Sequence, residues 1–270
     1  MNDDETPAFW SGYSHDDLVV RVASLHAQRR ELGERIDELT VQMGAVEIKG
    51  ARTAIAATYL RGFGMELGAG NRPFPLPEGV RCHYGDIRGE AALAKYFSAG
   101  QVAAGDVIDA QTMLGVPPAS QDFVIYAHVI EHLYDPIGAI RAVIGVLKPG
   151  GVFVCVVPDM EKTFDKARPP TTLAHVMTDR ADGGQSTKLQ AYVEHVKYVH
   201  PTLTGEHFDE KEIERRARAA MEAGMDLHVH AWRARDFSDL LNAISTECAF
   251  SFESMTSVVN ENISVLRRRV

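Results

Sequence analysis

The residues best suited to chemistry stand close together, as His128-Val129-Ile130-Glu131-His132 behind an apolar run from Phe123 to Ala127. On a helical turn the spacing i, i+3, i+4 brings His128, Glu131 and His132 onto one face. Imidazole and carboxylate together can ligate a divalent cation, and imidazole alone can take a proton near neutral pH. Three readings stay open for the stretch: a metal site made by His128, Glu131 and His132, a base at His128 or His132, and a bracing role for Glu131 and His132. Five further candidates lie downstream, all but one of them histidines: Arg168, His175, His195, His228 and His230. Arg168 could hold an acidic or phosphorylated ligand, or pair with Asp165. His228 and His230 alternate as on a strand, which would set both toward one side.

A second set of candidates lies earlier. Met65-Glu66-Leu67-Gly68-Ala69-Gly70-Asn71-Arg72-Pro73 reads as a strand followed by a loop at its carboxyl edge, where open α/β sheets bind ligands. Gly68 and Gly70 permit a tight turn and close approach to the backbone. The third glycine of a dinucleotide fingerprint would fall at position 73, where the chain has proline, so a pyrophosphate cradle is disfavoured. Asp86 ends the next strand and can accept from ribose hydroxyls; Asp109 follows the third and can accept from an adenine amine.

Positioning these groups requires a mainly parallel sheet with helical crossovers, and the apolar rhythm from Gly64 onward supplies one. Strands are expected near Gly64–Leu67, Arg81–Tyr84, Val107–Ile108, Phe123–Tyr126 and Val152–Val157, with the last launched by the turn Lys148-Pro149-Gly150-Gly151. Residues 159–227 show no strand pattern and read as an inserted helical cap, after which Phe250–Val258 and Ile263–Leu266 read as a closing hairpin. Ahead of the sheet, Leu18, Val22, Leu25, Leu32, Ile36, Leu39 and Met43 mark a long amphipathic helix, its register interrupted only at Arg29. The domain expectation is therefore an N-terminal helix over 1–48 and an α/β domain over 49–270. The helix stripe either closes a short coiled coil between two subunits or lies on the chain's own domain.

In order along the chain, Glu66-Leu67-Gly68-Ala69-Gly70, Asp86, Asp109, the segment Asp122–Leu133, Leu147-Lys148-Pro149-Gly150-Gly151 and His228-Val229-His230-Ala231-Trp232 resemble the motifs of class I S-adenosylmethionine-dependent methyltransferases, particularly the type 11 group. The resemblance spans about Gly64 to Leu266 and departs at Arg72, where many relatives have a third glycine. It implies a Rossmann-like α/β sheet of seven strands with a closing antiparallel hairpin, and S-adenosylmethionine as cofactor. Residues Glu66, Gly68, Ala69, Gly70, Asn71, Asp86, Ile87, Asp109, Ala110, Ala127 and His128 are those it places at the cofactor. Carboxylates at successive strand ends suit a cationic sulfonium better than a polyphosphate. His128 and His132 would serve the acceptor's proton. The stretch is also similar to the E-x-x-E-H segment of ubiquinone-pathway O-methyltransferases, linked to a divalent cation, with His128 in place of the first acid. The H-x-x-E-H order matches the inverzincin peptidases too, but those need a helical scaffold of their own, and here the motif follows a strand.

The cap, beginning with Phe164–His175, is expected to recognise the acceptor through Arg168, His175, His195, His228 and His230. The acceptor is expected to be a small molecule with an oxygen or nitrogen nucleophile, the stretch being reminiscent of enzymes that modify sugars or polysaccharide precursors. The competing functions are an NAD-type oxidoreductase, disfavoured by Pro73 and Asp109, and a non-catalytic scaffold that keeps the fold. A net charge of −9 across 270 residues disfavours nucleic acid. No apolar run spans a bilayer, and the acidic start Met1–Thr6 lacks the pattern of a secretory signal, so the expectation is a cytoplasmic homodimer. Cys82, Cys155 and Cys248 are odd in number and widely spaced, as reduced thiols would be.

Overall fold

The computed structural model describes residues 12, 14–98, 101–103 and 105–270; the acidic segment Met1–Thr6 lies outside them. Contacts divide the chain into two units, Met1–Glu47 and Ile48–Val270. Helix α1 (His15–Tyr59) opens with Asp16 and Asp17 in its first turn. Ser14 and Asp17 close a reciprocal cap there: the Asp17 amide donates to the Ser14 hydroxyl at 3.2 Å, and the Ser14 amide donates to the Asp17 carboxylate at 3.2 Å. Leu25, Leu32, Ile36, Leu39 and Met43 on α1 are all exposed, by 43% to 64%.

In the second unit, seven strands form one sheet in the order β3-β2-β1-β4-β5-β7-β6. These are β1 (Phe63–Leu67), β2 (Arg81–Asp86), β3 (Asp106–Val107), β4 (Gln121–Ala127), β5 (Leu147–Pro158), β6 (Phe250–Val258) and β7 (Glu261–Arg268), with helix α2 (Glu90–Tyr96) between β2 and β3. The first five run parallel, and β7 pairs antiparallel with both β5 and β6, which gives the expected closing hairpin. Alternation along the strands splits the core. Met65, Leu67, Val124, Tyr126, Phe153 and Cys155 face one side, under helices α3 (Pro136–Val146) and α8 (Ala234–Ile244). Phe123, Ile125, Val152, Val154 and Val156 face the other, against Ile55, Ala56, Leu60 and Phe74. Asp135 caps α3 by accepting from the Gly138 amide at 2.7 Å, with Pro136 at the first helical turn.

The Lys148–Gly151 turn does not precede β5 but interrupts it. Pairing jumps from Gln121↔Leu147 to Phe123↔Val152, so the segment between bulges out of the ladder, with Gly150 at φ +78°. Between β5 and α8 the chain is helical. It forms α4 (Leu173–Asp182), α5 (Lys188–Glu194), α6 (His200–Thr204) and α7 (Glu210–Glu222), with a π-helical turn at His195–Val199. Ala191, Tyr192, Val196, Ile213, Ala217, Leu227 and Val229 make a separate small core there. All three cysteines are free, two of them buried.

Candidate functional site

Loops at the carboxyl ends of β1, β2 and β4 carry the candidate residues. Glu66 is fully buried in β1 and accepts the Phe74 amide with both oxygens, at 3.1 and 3.0 Å. Burial pushes its carboxyl up to about 7, against the pull of that amide and of Arg52. Gly68 and Gly70 have φ of +71° and +54°, a region where side chains are strained. A Cβ on Gly68 would strike Val129, and one on Gly70 would strike the Phe97 ring. The second glycine thus makes room for an aromatic ring of the chain itself. Ala69 is buried beside them and Asn71 is exposed.

At the end of β2, Asp86 is buried and accepts the Arg88 amide at 2.8 Å, and exposed Ile87 stands between them. After β3, Asp109 accepts the Gln111 amide at 2.8 Å and the Thr112 hydroxyl at 3.1 Å. The Ala110 carbonyl accepts the Tyr126 hydroxyl at 2.8 Å. Both acids are thereby oriented by their own downstream turns, as Asx-type turns do.

Beyond Ala127, His128 adopts φ +58° and Val129 φ −126°, so the three residues of the H-x-x-E-H stretch do not share one helical face. Only Ile130–His132 forms a helical turn. The His128 ring is turned to Glu261 at the start of β7, with Nε2 2.8 Å from Oε1, while Nδ1 lies 3.4 Å from Glu131. Arg52 grips the same Glu261 carboxylate with two donors, at 3.0 and 2.6 Å. Burial opposes charge on His128, but its contacts with Glu131 and Glu261 prevail and lift it to about 9. At neutral pH it is an imidazolium with no lone pair to accept a proton, so the base expected at this position is not in a basic state.

The partner that joins Glu131 and His132 is His228. One ligand atom from each of the three lies within 4.8 Å of the others. His132 Nδ1 is 2.9 Å from Asp226, and His228 Nδ1 is 2.6 Å from Asp165. The two rings meet edge to face at 4.9 Å. Among the described residues, both Glu131 oxygens are buried without a hydrogen-bond partner. Asp226 also accepts from Arg88 at 2.7 Å and from the Tyr96 hydroxyl at 3.3 Å. A continuous path therefore runs from Asp86 through Arg88 and Asp226 to His132.

The family described as Methyltransferase domain matches residues 73–155, from the loop after β1 to the middle of β5. The matched segment is a methyltransferase domain, and the strand order agrees with the class I, type 11-like resemblance read from the sequence. A search of curated proteins finds no match. Similar solved structures include a SAM-dependent methyltransferase from Methanosarcina mazei, 17% identical over 80% of this chain and 97% of that one, with a TM-score of 0.44. Another is a Thermotoga maritima SAM-dependent methyltransferase described as a possible histamine N-methyltransferase, 13% identical over 81% and 87% of the two chains, with a TM-score of 0.45.

The residues fit the cofactor this family uses. Asp86 and Asp109 are carboxylates at successive strand ends, suited to hydroxyl and amine donors. When bound, S-adenosylmethionine supplies an electrophilic methyl on a sulfonium.

The cap residues of the methyltransferase part company. Arg168 is buried and spends all five donors inside the protein: on Asp165, on Glu194 twice, and on the His228 and Val229 carbonyls. Of its two sequence readings the Asp165 pair is the one formed, and no donor is left for an acceptor. His228 and His230 do not share a side, because their segment is not a strand. His230 is fully buried, stacked on Trp232 and 2.8 Å from Asp179, which also takes His175 at 3.2 Å. His175 lines a cavity of ≈ 180 Å³ with Pro170, Thr171, Thr172 and Glu194. His195 stands half-buried in the π-helical turn, its pKa lowered by burial and by the Arg168 charge. Sequence reasoning missed Arg52, Arg88, Asp226 and Glu261; Asp226, two residues before His228, was the one with a signal, since an acid beside a histidine pair is an orienting partner.

Proposed function

We propose that this methyltransferase transfers its methyl group to an oxygen or nitrogen of a small molecule, of the sugar or polysaccharide-precursor class. The observation that carries the reading is the Glu131–His132–His228 group, joined by hydrogen bonds through Asp226 and Arg88 to Asp86. Asp86 and Asp109 hold the nucleoside, and the polar group beside them receives the acceptor. His128, pinned between Glu131 and Glu261, orients the buried Glu131 rather than moving a proton. Glu131, His132 and His228 form the polar group that meets the nucleophile. The cavity beside His175 supports a place for the rest of the acceptor. With a net charge of −9, the reading includes no nucleic-acid partner. It also includes a cytoplasmic location, and among the described residues no helix is long and apolar enough to cross a membrane.

Calorimetry with S-adenosylhomocysteine tests the cofactor assignment: Asp86→Ala should weaken binding by about 1–3 kcal/mol, and an unchanged affinity would remove Asp86 from the site. The reading also holds that two copies pair through α1, whose domain over 1–48 carries the exposed Leu25 and Leu32. Light scattering should show a dimer that Leu25→Lys with Leu32→Lys converts to monomer. A monomer before and after the change would end the dimer assignment.

A further inference from the structure

We infer that Glu131, His132 and His228 form a binding site for a divalent transition cation of the zinc class, with a coordination position left open to the acceptor. The inference concerns the acceptor end of the site proposed above, and rests on that reading only for the identity of what fills the open position.

Three observations carry it. The ligand set is mixed nitrogen and oxygen, two imidazoles and one carboxylate, a combination that zinc and its neighbours take in catalytic sites with three protein ligands. Each imidazole already commits Nδ1 to an outer carboxylate, His132 to Asp226 at 2.9 Å and His228 to Asp165 at 2.6 Å. That arrangement fixes the ring and its tautomer and leaves Nε2 as the ligating nitrogen; outer carboxylates of this kind accompany metal-bound histidines as a rule. Third, Glu131 is 0% exposed and neither of its oxygens has a hydrogen-bond partner. A buried carboxylate without donors is costly unless something positive sits on it. His128 offers Glu131 an ion-pair contact at 3.4 Å, but its shorter contact, 2.8 Å, goes to Glu261, and both Glu131 oxygens remain without a hydrogen-bond donor.

The spacing is close to what coordination requires. Ligand atoms within 4.8 Å of one another need only small side-chain rotations to reach the roughly 3.4 Å edge of a tetrahedron with 2.0–2.1 Å bonds. The set differs from the one the local H-x-x-E-H spacing suggests, since His228 replaces His128 and comes from the far end of the cap. Metal binding would therefore tie the cap to the strand-four turn.

Cobalt(II) is the probe, added to the metal-stripped full chain and read by its visible ligand-field absorption, with zinc(II) as competitor. One equivalent should bind with the intensity of a four- or five-coordinate ion and be displaced by zinc. His228→Ala and Glu131→Gln should each weaken binding by more than the roughly 10–100-fold expected of Asp226→Asn, an outer partner. His128→Asn, which removes a neighbour of Glu131 but no ligand, should keep the one-equivalent stoichiometry and weaken binding less than His228→Ala does. Because His228→Ala strips a partner from buried Asp165, circular dichroism and S-adenosylhomocysteine binding on each variant confirm that it is folded. The inference is overturned if the wild type binds S-adenosylhomocysteine but gives no cobalt spectrum. Loss of the spectrum in His128→Asn and not in His228→Ala overturns it too, as does loss in His175→Ala. Cobalt binding without S-adenosylhomocysteine binding would instead leave the metal site standing and remove the methyltransferase reading of the edge beside it.

Discussion

Two clusters in this chain have the same inventory, two histidines and one buried carboxylate, and opposite wiring. In the first, Glu131 meets His132 and His228; in the second, Asp179 meets His175 and His230. Asp179 is satisfied on every side: His230 at 2.8 Å, His175 at 3.2 Å and the Thr187 hydroxyl all bond to it. Burial works against its charge, yet these partners outweigh burial and hold its carboxyl far below the usual range. Glu131 has no such partners, and the histidines around it turn Nδ1 outward to Asp226 and Asp165. A carboxylate that is the hub of the hydrogen bonds makes a brace. When the hydrogen bonds point away from the carboxylate, the centre is left open for a ligand.

The largest effect expected from this contrast is on stability at the brace. Asp179→Ala removes the common partner of fully buried His230 and of His175, and leaves their nitrogens without an acceptor. Breaking a buried pair this way should cost about 3–5 kcal/mol, seen as a lower denaturant midpoint, with S-adenosylhomocysteine affinity little changed. A loss below about 1 kcal/mol, the scale of an exposed ion pair, would mean that Asp179 is no brace and that the two clusters are wired alike.

The sheet was legible in the sequence because its signals are local. Apolar alternation, the Gly68 and Gly70 turn, the Asp135-Pro136 helix start and the Asn260–Asn262 hairpin each occupy a few consecutive residues. The series Glu66, Asp86 and Asp109 was readable for the same reason, each acid following its own strand. The cap cluster was not legible. Asp226 and His132 are 94 residues apart, and no spacing rule links a turn after strand four to a segment beyond five helices and a strand. Nor could the pattern reveal that His128 leaves the helical path at φ +58°, which breaks the shared face that the i, i+3, i+4 spacing presumes. Arg168 shows the limit from the other side. Its type suggested an anion hook, but only three-dimensional packing discloses that its five donors are already used.

An intermediate case tests how far hydrogen bonding grades a buried carboxylate. Glu66 has one donor, the Phe74 amide, where Asp179 has three side-chain partners and Glu131 has none. Burial raises its folded carboxyl to about 7 from an ordinary value of 4.5. Between those values the folded state holds a proton that the unfolded state has released, so stability should fall as pH rises through that window, by at most roughly 3 kcal/mol. Above pH 7 the loss is complete and the profile should flatten. Glu66→Gln, which keeps an acceptor for the Phe74 amide but carries no charge, should abolish that slope and be the more stable protein at pH 8. Parallel urea profiles for the two proteins between pH 5 and 8 would show that Glu66 is charged throughout.

The smallest effect is expected where the two clusters differ most. Glu131→Gln keeps shape and volume, and no protein hydrogen bond is lost with the carboxylate, since neither oxygen has a partner. What disappears is the burial of a charge and its attraction to His128, whose Nδ1 is 3.4 Å away and whose Nε2 keeps Glu261. The first change stabilises and the second destabilises, so metal-free stability should move by less than about 1 kcal/mol, the scale of one ordinary hydrogen bond. The comparison with Asp179→Ala is then a difference in kind: a large loss where the carboxylate is the hub, almost none where it stands open. Urea midpoints measured in chelator decide it. If Glu131→Gln is destabilised as severely as Asp179→Ala, then Glu131 is holding the turn after strand four to the cap through His128, His132 and His228, and its place is that of a second brace. If midpoints barely move while cobalt binding is lost, the unpartnered carboxylate is kept for a ligand and contributes little to the fold.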